Sequence, residues 1–241
     1  MLLTACGGGN TSSRVRENGA PASAETKALE AGARALQSAA PVKGLDIYLD
    51  AFHPMADDVQ IQMEAHHYCR QMNEDFAQCV LFDGNTSDAK MNGIEYIISE
   101  RVFQTLPAAE RKYWHPHNYE ILSGELVAPG LPEAAEKALL RKKMNSYGKT
   151  WHVWMTDSHG KAGDSLPLGE PHLAWSFNRD GELDAAMLRD RDMRMGIDSQ
   201  KKRQDRQDMV KLAKPQSGVD RLKDKFPGTL VSIPGVTDAG K

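Results

Sequence analysis

The sequence predicts a single α+β domain in which a mostly antiparallel sheet is flanked by helices. Apolar and polar residues alternate strictly over residues 59–69, which is the period of a half-buried β-strand. Strand-like segments are separated by short turn signals such as Asp83-Gly84-Asn85, which is typical of hairpins. Helical and strand patterns also follow one another irregularly, whereas parallel α/β folds alternate them regularly.

The chain divides by composition into three regions. Residues 1–24 are rich in Gly, Ser, Asn and Pro, and we expect a flexible tether there. Residues 25–212 carry the periodic patterns and form the predicted α+β domain. Residues 213–241 are expected to form a poorly ordered tail. A length of 241 residues fits this arrangement of one sizeable domain with extensions.

Composition and charge exclude two classes of protein. The formal net charge of −3 leaves no excess of Lys and Arg to replace phosphate counterions, so nucleic acid is not an expected partner. No apolar run approaches the ~20 residues that a membrane-spanning helix needs. The 40% hydrophobic content is nevertheless sufficient to build the core of a globular domain.

A symmetric hairpin is predicted around Glu74, and the rest of the chain follows in short elements. Residues 59–69 and 76–82 are the two paired strands, and Cys69 then faces Cys79. Further strands are predicted at residues 91–98, 118–122, 125–128, 150–156 and 172–178. Helices are predicted at residues 25–38, 99–106, 108–114, 132–147, 184–195 and 198–212, with Gly148 ending the fourth.

The histidines are the candidate metal ligands. His115 and His117 are two residues apart around a proline, and the residue before a proline favours extended geometry, so both imidazoles can point the same way. A zinc site needs three or four ligands, and His67, His152 and Glu95 are the candidates to complete it. The alternative is that these histidines pack in the core with their ring nitrogens bonded to the backbone.

Two other groups of residues have functional and structural interpretations. Cys69 and Cys79 can form a disulfide in an oxidising compartment and remain buried thiols in a reducing one. Tyr96, Trp151 and Trp154 can line an apolar ligand pocket or simply fill the core.

The N-terminal segment resembles the lipobox of bacterial lipoproteins. Leu3-Thr4-Ala5-Cys6 is followed by a small polar tether, and in that family the cysteine is lipidated, which makes Cys6 the expected anchor. Because only Met1 and Leu2 precede this motif, a signal peptide must lie upstream of residue 1 in this interpretation. The alternative is a cytosolic, disordered N-terminus with a free Cys6.

Several separate blocks of the chain resemble the oil body-associated protein family. The similarity extends over roughly residues 29–197 and is specific because the blocks occur in the same order. They are His66-His67-Tyr68-Cys69, Asn73-Glu74-Asp75, Gln78-Cys79, Gly93-Ile94-Glu95-Tyr96-Ile97-Ile98-Ser99-Glu100, Trp114-His115, His117, Tyr119-Glu120, Tyr147-Gly148-Lys149-Thr150-Trp151-His152 and Leu166-Pro167-Leu168-Gly169.

The resemblance implies a lipid-surface protein without an assigned reaction, so it transfers no catalytic residues and leaves open whether the chain is an enzyme. It also implies that Cys69 and Cys79 do not form an obligatory disulfide, since plant members lie in a reducing cytosol. Together with Cys6, it predicts a lipoprotein attached to a lipid or membrane surface of a bacterial envelope, with a cytoplasmic protein as the alternative. The competing hypothesis for function is a metal-binding domain or metal-dependent enzyme that uses the histidine site, with a divalent ion such as Zn²⁺.

Overall fold

A computed structural model describes residues 9–159 and 161–240 of the chain. Within these residues, seven strands form one sheet in which every pairing is antiparallel, in the order β1-β2-β3-β4-β6-β5 with β9 also paired to β6. The strands of this sheet are β1 (Ile47–Pro54), β2 (Gln62–Asn73), β3 (Phe76–Phe82), β4 (Met91–Ile98), β5 (His115–Pro116), β6 (Tyr147–His152) and β9 (His172–Leu173). A small hairpin joins β7 (Asp157–Ser158) to β8 (Lys161–Ala162). The predicted α+β class with a mostly antiparallel sheet is confirmed.

Helices connect and flank the strands. They are α1 (Ala24–Leu36), α2 (Glu100–Phe103), α3 (Ala108–Arg111), α4 (Asn118–Ser123), α5 (Glu133–Lys143), α6 (Ala185–Met195) and α7 (Ser199–Asp205). Short 3₁₀ turns occupy Val42–Gly44, Gln207–Leu212 and Lys223–Lys225. Ser99 caps α2, and its hydroxyl accepts a hydrogen bond from the backbone N–H of Val102.

The central hairpin has the predicted register. Cys69 pairs directly with Cys79, and Cys79 in turn pairs with Glu95 on the next strand. These three side chains therefore lie in one row on one face of the sheet, which we call the inner face. His67 lies on the same face two residues before Cys69.

The first half of the polar face of β2 is buried, although strict alternation predicted that this face would be exposed to solvent. Glu64 and His66 are covered because residues of the N-terminal segment and α6 pack over them. Arg194 of α6 donates hydrogen bonds to both Glu64 and Thr11. Tertiary ion pairing therefore replaces solvent on that face.

The region around residue 120 is helical, and the prediction of strands at 118–122 and 125–128 is wrong. Residues 118–123 form α4, which ends at Gly124 in a left-handed conformation with φ of 87°. The segment is short, and its polar and apolar residues from Asn118 to Leu122 are all buried, so the pattern could not separate helix from strand. His115-Pro116 pairs with β6, so His117 is the residue that precedes the helix.

The prediction that Gly148 ends a helix is also wrong. Helix α5 ends at Lys143, and Asn145 adopts the left-handed conformation that stops it, with φ of 68°. Gly148 therefore belongs to β6, where it pairs with Ile97 of β4 and His115 of β5.

The segment after residue 213 contributes to the core, contrary to the expected poorly ordered tail. Its buried apolar side chains are Val219, Leu222, Phe226, Ile233 and Val236. They pack in the same cluster as Phe52, Leu81, Ile121 and Trp175. The apolar positions of this segment are too widely spaced for a helix or strand pattern, and only tertiary contact buries them.

Helix α1 is the longest helix of the described residues, and none of its residues is buried. Leu29 and Leu36 are 69% and 88% exposed. Within the described residues, none of the helices combines the length and apolar composition required to cross a membrane.

Candidate functional site

The antiparallel register brings distant histidines and glutamates together on the inner face of the sheet. Glu95 lies on β4, which pairs directly with β6. On β6, Gly148 pairs with His115 of β5. His67 reaches the same place from β2, and His117 does so from the start of α4. We call the buried group formed by His53, His67, Glu95, His115, His117 and Glu120 the histidine–glutamate centre.

Three of the predicted histidines converge on the carboxylate of Glu95. The Nε2 atom of His67 lies 2.9 Å from Oε2, and the Nε2 atom of His117 lies 3.3 Å from Oε1. The Nε2 atom of His115 lies 3.6 Å from Oε1 and 3.2 Å from Nε2 of His117. The sequence pattern predicts that these four residues share one site, and the structure does bring them together.

These separations match the spacing of donor atoms around a metal ion. Two atoms that each lie about 2.1 Å from an ion are about 3.0–3.4 Å apart in octahedral or tetrahedral geometry. The separations of 3.2 Å and 3.3 Å at His117 fall in this interval. Nε2 of His117 faces both Oε1 of Glu95 and Nε2 of His115, and a single proton on this nitrogen can serve only one of the two contacts.

The nitrogens that face away from the centre have partners that orient the rings. Nδ1 of His67 lies 3.0 Å from the carbonyl oxygen of Ala65, and Nδ1 of His117 lies 2.8 Å from the hydroxyl oxygen of Ser146. Metal-bound histidines characteristically use their second nitrogen in this way, which fixes the ring for coordination.

His53 and Glu120 also belong to the centre, although they are not among the ligands predicted from the sequence. The potential ligand atoms of His53, His67 and Glu95 all lie within 4.8 Å of one another. The same is true of the potential ligand atoms of His53, His115 and Glu120. His53 precedes Pro54 at the end of β1, which was the available signal. Glu120 was missed because its segment was taken as a strand rather than a helix.

His152 lies behind His53 rather than in the centre itself. Its Nε2 atom is 3.1 Å from Nδ1 of His53. Because this contact uses Nδ1 of His53, the Nε2 atom of His53 remains available to the centre. The prediction of His152 as a direct ligand remains a prediction, and the geometry gives it the role of orienting His53.

Gly148 leaves space beside the converging atoms. A Cβ atom at this position would lie 2.6 Å from Nε2 of both His115 and His117 and would overlap Oε1 of Glu95. A small cavity of about 20 Å³ is lined by His53, His67, Glu95, His117 and Glu120, together with Lys143 and four apolar side chains. This volume is enough for one water molecule or one ion.

The electrostatics favour the protonation states that bind metals. Burial alone would raise the pKa of Glu95, but hydrogen bonds from His117 and His67 outweigh it and hold that pKa well below its ordinary value. Burial lowers the pKa of His115 to about 3, and it holds the pKa of His53 well below its ordinary value. Glu95 is therefore ionised at neutral pH, whereas His53 and His115 are neutral.

Glu120 has the opposite character. Burial, assisted by the negative charges of Glu125 and Glu95, raises the pKa of Glu120 well above its ordinary value. Among the residues that the structure describes, its Oε1 atom has no hydrogen-bond partner. A cation in the cavity would compensate this buried carboxyl group and allow it to ionise.

A second buried cluster, Asp50 with Glu64 and His66, lies on the other face of β2. Arg191 forms an ion pair with Asp50, and Arg194 forms one with Glu64. Because two guanidinium groups already balance the two carboxylates, this cluster is a structural ion network rather than a second cation site.

The predicted aromatic pocket is not assembled as one cavity. Tyr96 and Trp151 lie on the outer face of the sheet, opposite the histidine–glutamate centre, where Trp151 pairs with Ile94. Trp154 lies in the loop after β6, and its indole N–H donates a hydrogen bond to the carbonyl oxygen of Asp164.

The structure describes two of the three cysteines, Cys69 and Cys79. Cys69 and Cys79 form a disulfide across the hairpin, and both are buried in the main core. This is the oxidised alternative of the two that the sequence left open. Cys6, the expected lipidation site, lies outside the described residues.

Comparison with known proteins identifies the family. The family described as "Protein of unknown function (DUF1264)" matches residues 39–210. Oil body-associated protein 1A of Zea mays is 38% identical over 228 residues, covering 92% of this chain and 93% of that protein. Oil body-associated protein 1B of Arabidopsis thaliana is 38% identical over 197 residues, covering 82% of this chain and 79% of that protein.

A third relative matches the chain to a similar extent. Oil body-associated protein 2A of Zea mays is 37% identical over 202 residues, covering 83% of this chain and 79% of that protein. No solved structure shows a significant match to this chain. The chain belongs to the DUF1264 family and, with it, to the family of the oil body-associated proteins.

Proposed function

We propose that this protein binds a divalent transition-metal ion in the histidine–glutamate centre. The observation that carries the proposal is the convergence of three Nε2 atoms, from His67, His115 and His117, on one buried carboxylate, that of Glu95. Imidazole nitrogen combined with carboxylate oxygen is a donor set suited to ions such as Zn²⁺.

The ligand set has more donors than a tetrahedral ion needs. Glu95 and the three histidines supply the four primary donors, and His53 and Glu120 border the same cavity. When bound, the ion would supply a positive charge that polarises a water molecule or another small ligand. The chain's own contribution is to hold the rings through Ala65 and Ser146 and to keep bulk water out.

Elemental analysis of protein purified without chelator tests the proposal. We expect about one transition-metal ion per chain, and we expect Zn²⁺ added to chelator-stripped protein to raise the midpoint of thermal unfolding. The variant Glu95→Gln keeps the shape of the side chain and removes its charge, so it should lose the ion and the thermal shift.

A matched control is His172→Gln, because His172 is a partly exposed histidine whose nearest ionic partner is Asp57 rather than Glu95. It should retain full metal content. A metal content far below one ion per chain, with no thermal shift on adding Zn²⁺, Fe²⁺ or Mn²⁺, would show that the centre is only a buried hydrogen-bonded cluster.

A second candidate function is association with a lipid surface. The relatives that match over most of the chain are named oil body-associated proteins, and this supports a lipid-associated role here. The exposed apolar side chains of α1 and of the outer sheet face favour the same role. Co-flotation of the purified protein with phospholipid vesicles or a phospholipid-coated oil emulsion tests it. Protein that stays entirely at the bottom of the gradient would refute it.

Lipidation at Cys6 would be a separate means of attachment. It rests on the lipobox resemblance alone, and the relatives reported above are plant proteins, which give no support to a bacterial envelope location. Membrane fractionation of the full-length product and of Cys6→Ser tests this anchor. Equal recovery of both in the soluble fraction would exclude it.

A further inference from the structure

The outer face of the sheet carries an exposed apolar surface beyond the part of β2 that the N-terminal segment and α6 cover. The side chains Val42, Val80, Phe82, Met91, Ile94 and Tyr96 define this surface, which we call the apolar outer face. Met91 is 55% exposed, and Ile94 and Tyr96 are 39% and 38% exposed. Two adjoining depressions of about 470 Å³ and 270 Å³ lie between these side chains. Contiguous exposed apolar surface of this kind marks an interaction site.

The surface is continuous because the strand register aligns its residues in one row. Tyr68 of β2 pairs with Val80 of β3, Val80 pairs with Ile94 of β4, and Ile94 pairs with Trp151 of β6. The row therefore has an aromatic residue at each end and aliphatic residues between them. Tyrosine and tryptophan favour boundaries between water and hydrocarbon, where the ring is apolar and the polar atom stays hydrated.

Cations border this row. Arg70 continues β2 on the same face, in register with Gln78 and through it with Tyr96. Lys43 lies in the segment that carries Val42 along the edge of both depressions. Within residues 9–159 and 161–240, no carboxylate forms an ion pair with Arg70 or Lys43, so both charges remain for an external anion.

We propose that the apolar outer face is the lipid-contacting surface of this protein and that it docks on an anionic phospholipid layer. The proposal rests on the lipid association proposed above and adds the surface responsible. Met91, Ile94 and Tyr96 enter the acyl boundary, while Arg70 and Lys43 lie at the level of the phosphate groups. The histidine–glutamate centre faces the other way, so docking leaves it inside the domain.

Flotation with vesicles of phosphatidylcholine, alone or mixed with phosphatidic acid, tests this surface. The wild type should float, and more of it should float with the anionic mixture. Met91→Glu combined with Ile94→Glu should lower the partition coefficient at least about tenfold on both, because two side chains lose apolar transfer and carry charge. Arg70→Glu should selectively reduce the preference for the anionic mixture.

The matched control is Met193→Glu, which makes the same substitution at a 78% exposed position on α6 that lines neither depression. It should float like the wild type. Circular dichroism and thermal unfolding verify that each variant is folded. All four substitutions are at exposed or partly exposed positions, so the fold should be retained.

The outcomes separate this proposal from the lipid function on which it rests. If the wild type never floats, both the lipid association and the assigned surface are overturned. Wild type that floats together with an unaffected Met91→Glu/Ile94→Glu variant overturns the assigned surface and leaves lipid association standing. A wild-type dimer in light scattering that the double variant converts to monomer, without lipid binding by either, would make the face a contact between two copies. This result would refute the proposal.

Discussion

Gly148 lies directly against the carboxylate of Glu95, and no side chain separates the β6 backbone from the histidine–glutamate centre. A Cβ atom at position 148 would occupy the space on which Glu95, His115 and His117 converge. The glycine is therefore required by a close approach and not by an unusual backbone angle, since its φ is not positive.

Gly148→Ala should consequently block the metal site while leaving every proposed ligand in the sequence. We expect metal affinity to fall at least about tenfold, because the methyl group displaces donor atoms. The metal-free protein should lose about 1–3 kcal/mol of stability through crowding. Isothermal titration with Zn²⁺ measures the first effect and urea unfolding the second. Gly32→Ala, where a Cβ meets no atom within 4 Å, is the control and should bind normally. Normal affinity in Gly148→Ala would place the ion elsewhere.

The buried carboxyl group of Glu125 should make stability depend on pH. Burial raises the pKa of Glu125 from 4.5 to about 8, opposed by the nearby charge of Arg191. In the unfolded chain the group ionises near pH 4.5, so its contribution to stability is complete below that pH. The contribution is lost as the pH rises towards 8, by up to about 4 kcal/mol.

Glu125→Gln cannot ionise and should therefore escape this loss. Urea unfolding of both proteins in the presence of chelator, at pH 5 and pH 8, measures the effect. The free energy of unfolding of the variant, relative to the wild type, should be higher at pH 8 than at pH 5. An equal difference at the two pH values would contradict the assignment.

The disulfide between Cys69 and Cys79 should stabilise the central hairpin only moderately. The cysteines are 10 residues apart, and closing a loop of that length in the unfolded chain contributes about 2–3 kcal/mol. Unfolding by urea with and without a dithiol reductant should show a loss of this size. A Cys69→Ser/Cys79→Ser variant should resemble the reduced protein and be insensitive to reductant. A wild type equally stable under both conditions would show that the bridge is dispensable.

The C-terminal segment should be part of the cooperative fold. Phe226 is buried, and its ring centre lies 5.9 Å from that of Phe177 in the main core. The substitution Phe226→Ala should lower the free energy of unfolding by about 3–5 kcal/mol. Val231→Ala, at a 54% exposed position of the same segment, should change it by no more than about 0.5 kcal/mol. Equal effects of the two substitutions would mean that the segment is not part of the core.

Local patterns were informative where one period dominated the residues. The alternation in β2, the hairpin turn at Glu74 and the resulting pairing of Cys69 with Cys79 all follow from the period of two. The strand at 91–98 was predicted to the residue. The convergence of His67, His115, His117 and Glu95 could be proposed because antiparallel strands of one sheet place such residues within reach of each other.

Local patterns failed where burial removes the contrast between faces. Helix α4 is buried on all sides, so its apolar residues carry no helical period, and Glu120 was lost with it. Gly148 was taken as a helix end because glycine has that role more commonly than close backbone approach. The segment after residue 213 shows no period at all, yet it covers the core.

The sequence by itself determined the class of fold, the family and the residue types available for a metal site, since these depend on periodicity and on motifs read along the chain. Only the tertiary structure decided which histidines share a centre, that His53 and Glu120 join it, and that part of the outer face of the sheet remains apolar and exposed. The physical reason is that coordination and docking depend on distances between side chains far apart in sequence. Strand register and helix packing set those distances, and no local pattern encodes them.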